Sequence, residues 1–264
     1  MDGRKRGVDR GGFVGMQMDS PLPESLEAMV ERVCGFQRDS VPDESPFGYP
    51  PGLAQKVDPA TGSFKGFFGS TVIARVSPQD AAWMGRICAD LYEAMGGALA
   101  ERLCRETLHL TICDLWSSPV AEQVSGRALE AIPPVSAVVS RARGGKDMAF
   151  TVNAVFNLMN TSVCLGLVPA SRDDHEAVMS IRRSLADLVP VPAFTPHITL
   201  AYYRGDSGNP LDPGALRDWL ERATACLEGR EIIVRAQDIT LALFTDMNSY
   251  FPLAEPALPQ RGGR

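Results

Sequence analysis

The chain has very little histidine: three residues among 264, at His109, His175 and His197. It has six cysteines (Cys34, Cys88, Cys104, Cys113, Cys164 and Cys226) but no C-x-x-C pair. A zinc ribbon or a dithiol redox site is therefore not expected, and reduced, mostly buried thiols are the simpler reading. No apolar run approaches the ~18 residues of a membrane-spanning helix. The opening residues, MDGRKRGVDRGGFVG, carry charge but no apolar stretch of the kind a secretory signal needs. A cytoplasmic protein is the expectation, with no membrane partner. An excess of basic charge is missing as well: 26 Lys and Arg stand against 32 Asp and Glu, a net charge of −6. Tight non-specific binding to nucleic acid draws on many Lys/Arg–phosphate contacts, so this balance argues against it. It leaves room for a small nucleotide or one RNA end in a local pocket.

What is present is a pattern that occurs twice. His109-Leu110-Thr111-Ile112 lies in RETLHLTICDL, and His197-Ile198-Thr199-Leu200 lies in TPHITLAYY. Threonine is scarce, 11 residues in the chain, yet two of the three histidines have one two positions on. In a β-strand, residues i and i+2 point to one face. Each motif thus sets an imidazole beside a hydroxyl and sends the intervening aliphatic residues to a core. His175, in DDHEAV at the start of a helical pattern, is the contrast and reads as an exposed surface histidine.

Residues 1–65 differ from the rest and read as an N-terminal extension, partly disordered, with Arg4, Lys5, Arg6 and Arg10 near its start. Within it a short helix is expected from Pro23 to Val33, followed by a Pro/Gly-rich loop. The repeating architecture occupies 66–254, and 255–264 is a C-terminal tail. Ser70–Val76 reads as a strand. Ser77-Pro78 is an N-cap followed by Pro at the first helical position, and that helix runs to Gly96-Gly97. A second short helix is expected at Ala98–Cys104, then the first motif strand at Thr107–Leu115. Val135–Ala142, Met148–Phe156 and Thr161–Val168 read as three strands. Ser171 opens a helix that ends before Pro190, and the second motif strand, Pro196–Tyr203, follows. Asp212-Pro213 starts another helix, and Glu231–Ala236 and Asp238–Phe244 read as two closing strands. Strand, helix and motif strand thus occur twice, which points to an α+β fold with antiparallel sheets and two similar lobes around one cleft.

Two imidazoles facing one groove suit phosphodiester chemistry. One takes a proton from water or from a ribose 2′-hydroxyl; the other, as imidazolium, gives one to the leaving oxygen. The threonine hydroxyls donate to non-bridging phosphate oxygens, where charge builds. Counting alternate residues onward from His197 puts Tyr203 on the histidine face, where its ring could stack on a base, and Arg204 next to it could reach a phosphate. The same count puts Thr107, Thr195 and Cys113 on that face, and groups Asn153 and Asn157 with Thr151. It sends Asp114 to the opposite face, so a metal-ligand cluster is missing.

Two H-x-T-hydrophobic motifs, each ending a strand–helix–strand unit, resemble the two-histidine (2H) phosphoesterase superfamily, whose best-known members are the bacterial RNA 2′,5′-ligase/cyclic phosphodiesterase group. The similarity covers about residues 66–254. It implies a bilobed, pseudo-twofold, LigT-like fold, with two antiparallel sheets flanking a central cleft and helices outside. It also implies metal-independent cleavage of 2′,3′-cyclic phosphates or of 2′,5′-linked nucleotides and RNA ends, without a cofactor. Carried over by motif, His109 and His197 are the acid/base pair and Thr111 and Thr199 the phosphate binders. The first 60 or so residues have no counterpart in the minimal fold, which suggests an extra segment covering the cleft. ATP-independent 2′,5′ ligation, the reverse chemistry, is one alternative; a non-catalytic nucleotide-binding module is another. A monomer without a protein partner is expected.

Overall fold

The structure, a computed structural model, describes residues 24–43, 47–205, 208 and 210–253. The basic residues at the start of the chain and the tail beyond Leu253 lie outside them, as does Pro23. The chain order is α1 (Leu26–Gln37), α2 (Leu53–Lys56), β1 (Phe68–Arg75), α3 (Pro78–Met95), β2 (His109–Ser118), α4 (Glu122–Arg143), β3 (Met148–Leu158), β4 (Ser162–Pro169), α5 (Arg172–Ala186), β5 (His197–Tyr202), α6 (Pro213–Leu227), β6 (Glu231–Val234), β7 (Ile239–Asp246) and β8 (Ser249–Pro252). The strands form one antiparallel sheet in the order β6-β3-β4-β5-β2-β1-β7-β8. Its two four-stranded halves meet through a single residue pair, Leu110 of β2 with Ile198 of β5. The expected two sheets are these halves. The two histidine motifs lie on the strands at the seam.

The caps read from sequence hold. Ser77 accepts from the Asp80 N–H, Ser171 from that of Asp174 and Asp212 from that of Gly214, so α3, α5 and α6 each begin on a satisfied donor. Helices α3 to α6 contribute Trp83, Leu91, Val135, Val178, Leu216 and Trp219 to a core shared with Leu110, Ile112, Ile198 and Leu200 of the motif strands. The part of the N-terminal segment described here belongs to the same core through Met29, Val33, Val41, Phe47, Leu53 and Val57. All six cysteines carry free thiols. No helix among the described residues is long and apolar enough to cross a membrane.

Four expectations are corrected. Val135–Ala142 is not a strand but the second half of α4, which contains Pro133 and Pro134. Those prolines remove donors to the carbonyls of Leu129 and Glu130, both exposed, where water can take the bond. Val124, Ala128, Ala131, Val135, Val138 and Val139 keep helical spacing across them on the buried side. Ala98–Cys104 is loop flanked by two 3₁₀ turns at Gly96–Ala98 and Arg105–Thr107. A third closing strand, β8, hairpins back onto β7. His175 is buried rather than exposed, and burial pushes its imidazole below the ordinary histidine value.

Candidate active site

Each histidine opens its strand, and each ring is fixed by the backbone just before it. His109 Nδ1 lies 2.6 Å from the carbonyl oxygen of Thr107, and His197 Nδ1 lies 2.8 Å from that of Thr195. A carbonyl only accepts, so Nδ1 carries the hydrogen in both rings. That tautomer leaves Nε2, across the ring, as the nitrogen available for proton transfer. The Leu110–Ile198 pairing, extended by one residue in each direction, sets His109 opposite Thr199 and Thr111 opposite His197. Leu110, Ile112, Ile198 and Leu200 are buried on the other face, as the alternation requires.

Beyond the H-x-T triplets both strands break alternation at the same place. Val72 pairs with Cys113 while Ile73 pairs with Thr111, so Ile112 is an extra residue in β2. Val163 pairs with Ala201 while Cys164 pairs with Thr199, so Leu200 is an extra residue in β5. Each bulge falls three residues after the histidine and reverses the side-chain parity that follows. Cys113 therefore turns into the core, and Asp114 comes onto the histidine face. Its carboxylate interacts with both imidazoles. In β5 the residue brought to that face is Tyr202, whose hydroxyl donates to Met247 Sδ at 3.3 Å, while Tyr203 turns away into the core.

Tyr203 is thus not positioned to stack on a base. It is fully buried and packs edge-on against Phe47 at 5.3 Å between ring centres. Arg204 is also engaged elsewhere: its guanidinium donates to the carbonyls of Pro59 and Ala60. Asn153 donates to the side chain of Gln37, and Asn157 is buried against Ser40 and Asn160, so neither is on a solvated sheet. The hydroxyl of Thr107 donates to the Cys104 carbonyl and to Asn248, and that of Thr195 accepts from Arg32.

Several residues near the motifs carry no signal in the sequence. The Tyr250 ring of β8 lies 4.6 Å from that of His109, centre to centre. Phe156 of β3 meets His197 edge-on at 6.4 Å, and Phe36 of α1 packs against Phe156 at 6.0 Å. Lys56, at the end of α2, is buried with Nζ 5.0 Å from the Phe67 ring centre and 6.0 Å from that of Tyr202, and its ammonium interacts with Asp114. A helix thus occupies part of the region read from the sequence as loop.

Burial is the largest influence on both imidazoles and pushes them below the ordinary histidine value. The carbonyl bonds and the Asp114 carboxylate act the other way, and His197 adds a small downward push on His109. The Lys56 ammonium is pushed down by burial and held up by Asp114. With Asp114 on the histidine face, the sequence argument that no acid accompanies the imidazoles fails. Among the described residues, still, no group of three or more His, Cys, Asp or Glu side chains could hold a metal ion.

No protein-family model matches the chain, and no curated protein sequence is similar to it. Solved structures are. A conserved protein of unknown function from Agrobacterium tumefaciens str. C58 superposes with a TM-score of 0.52 at 18% identity, over 78% of this chain and 92% of that one. Escherichia coli LigT in its apo form gives 0.46 at 16% identity, over 72% and 96%. A protein described as a phosphoesterase gives 0.43 at 20% identity, over 71% and 96%. At these identities the likeness is one of fold.

Proposed function

We propose that the protein is a metal-independent phosphodiesterase that acts on 2′,3′-cyclic phosphates or on 2′,5′-linked nucleotides and RNA ends. The observation that carries this reading is the pair of imidazoles on one face of adjoining strands, each with Nδ1–H held by a carbonyl and a threonine hydroxyl two residues on. In the reaction one neutral Nε2 takes a proton from water as its oxygen attacks phosphorus. The bond from phosphorus to one ribose oxygen breaks, and the second ring, as imidazolium, gives its Nε2 proton to that oxygen. Thr111 and Thr199 donate to the non-bridging oxygens. Binding alone does not need two oriented imidazoles, which favours turnover over a sensing module. Hydrolysis prevails over ligation in water, so ATP-independent 2′,5′ ligation is the secondary activity of the same residues. The net charge of −6 favours a small nucleotide or a terminus over long RNA.

The test is turnover of 2′,3′-cyclic AMP, of a 2′,5′-linked dinucleotide and of a short RNA ending in a cyclic phosphate, all in EDTA. Wild type should hydrolyse at least one. His109→Ala and His197→Ala should each lose at least about a hundredfold in kcat while still binding the product nucleotide. Binding without turnover by wild type across pH 5–9 would sink the enzymatic reading, and loss of activity in EDTA would sink its metal independence.

A further inference from the structure

The two threonines whose carbonyls hold the rings are themselves held through their hydroxyls, by different parts of the chain. On the His109 side, Asn248 in the β7–β8 turn accepts from the Cys104 N–H at 2.7 Å and from the Thr107 hydroxyl at 3.2 Å. On the His197 side the anchor comes from α1. Arg32 donates to the carbonyl of Phe194 at 2.7 Å and to the hydroxyl of Thr195 at 3.2 Å. Its guanidinium is in turn gripped by both oxygens of Glu24, at 2.7 and 2.8 Å. The side chains of this pair are 12% and 5% exposed.

A buried ion pair is a costly way to fasten a helix, and α1 is already fastened by Met29 and Val33, both fully buried. What the pair adds is direction. Arg's rigid fork meets two consecutive residues of the 194–196 segment, and the second supplies the oxygen that fixes His197. The segment is otherwise a stretch of loop between α5 and β5, entered through Val191-Pro192 and closed by Pro196.

We infer that Arg32, held by Glu24, is a positioning residue for His197, so that the N-terminal helix is a working part of the site. The inference rests on the reading of His197 as an acid/base group. Arg32 touches no reacting atom in this scheme; it acts through Thr195, as Asn248 acts on His109 through Thr107.

The experiment reads the rings directly. With three histidines in the chain, ring ¹⁵N signals of the full-length protein can be followed one by one through a pH titration, alongside kcat and KM for 2′,3′-cyclic AMP. The main variant is Glu24→Gln with Arg32→Met, which leaves no lone buried carboxylate. Arg32→Lys keeps the charge and loses the fork, and carries the test if the double variant does not fold. Met29→Ala loosens α1 without touching the anchor. In the anchor variants His197 alone should lose its fixed Nδ1–H tautomer and titrate at lower pH, because the carbonyl bond that raises its pKa is weakened. kcat should fall on the order of tenfold to a hundredfold, with KM within about threefold, and Arg32→Lys should retain an intermediate value. Asn248→Ala should move His109 and not His197. Unmoved His197 signals in a folded anchor variant, or an equal shift in Met29→Ala, overturn the inference. Absence of turnover by wild type on every diester would remove the functional reading and leave the ring measurement standing on its own.

Discussion

Burial, opposed by the carbonyl bonds and by Asp114, sets where on the pH scale the two imidazoles can work. Burial lowers both and so favours the neutral rings, while one must be protonated to serve as acid. The kcat/KM profile reports the free enzyme and should be a bell centred below the ordinary histidine value of about 6.5. The two limbs belong to the coupled pair and not to single residues. A bound phosphate stabilises imidazolium, so the kcat bell should lie at higher pH than the kcat/KM bell. Asp114→Asn removes a charge that raises both rings, and its kcat/KM bell should move further to acid; a shift to alkaline pH would contradict the placement of Asp114 on their face of the strand. Tyr202 and Tyr203 supply a second residue-scale contrast. The Tyr203 hydroxyl is buried and has no hydrogen-bond partner among the described residues. Tyr203→Phe should therefore leave kcat and KM unchanged and unfolding stability equal or higher by up to about 1 kcal/mol. Tyr202→Phe removes a hydroxyl on the histidine face, one that donates to Met247 Sδ, and should lower kcat severalfold, which steady-state assays of the two variants will compare.

At the scale of elements, the path from sequence to site was legible as far as Thr111 and Thr199 and no further. The H-x-T triplets, the Ser77, Ser171 and Asp212 caps, and the strand–helix–strand order follow from periodicity and capping chemistry. The extra residues Ile112 and Leu200 do not, because a bulge leaves an apolar sequence looking like continuous strand. That is why counting alternate residues sends Asp114 to the wrong face and puts Tyr203 and Cys113 on the histidine face. The second half of α4 was hidden by Pro133, Pro134 and a run of valines, whose local preferences are outweighed by a continuous buried stripe. The packing of α1 against Phe156 and beside Thr195 depends on long-range contacts that no local pattern encodes. One of these contacts can be tested through a glycine. Gly166 pairs with His197, and a Cβ there would lie 2.4 Å from Oε1 of Gln37 in α1. Gln37 is buried and bonded to Asn153, so it cannot simply swing aside. Gly166→Ala should cost roughly 1–3 kcal/mol, measured by urea unfolding. In a Gln37→Ala background most of that added cost should vanish, and a cost that persists would show that something other than Gln37 closes the site around Gly166.

For the whole molecule, the location of the site and its acid sensitivity have one origin. The halves of the sheet pair through one residue pair, so the histidines sit half-buried at the seam, with Tyr250 beside His109 and Phe156 beside His197. Enclosure lowers His109 and His197, and His175 is lowered by its own burial in α5. For a base whose folded pKa is depressed, the unfolded chain binds more protons between the two pKa values, and stability rises with pH across that window. All three histidines therefore contribute stability that is fully present above the unfolded value of about 6.5 and is lost as pH falls towards their folded values. Each contributes at most about 1.4 kcal/mol per pH unit inside its window. Unfolding free energies measured in urea at pH 7.5, 6.5 and 5.5 should fall over the lower interval, above the range near pH 4 where ordinary carboxylates titrate. His175→Gln, outside the cleft, should flatten that slope without moving the pH–rate bell. The His197 variants should flatten the slope and abolish the bell together. A protein equally stable at pH 7.5 and 5.5 would mean that the three rings are open to water in the folded state, and that the enclosed seam is not what tunes the pair.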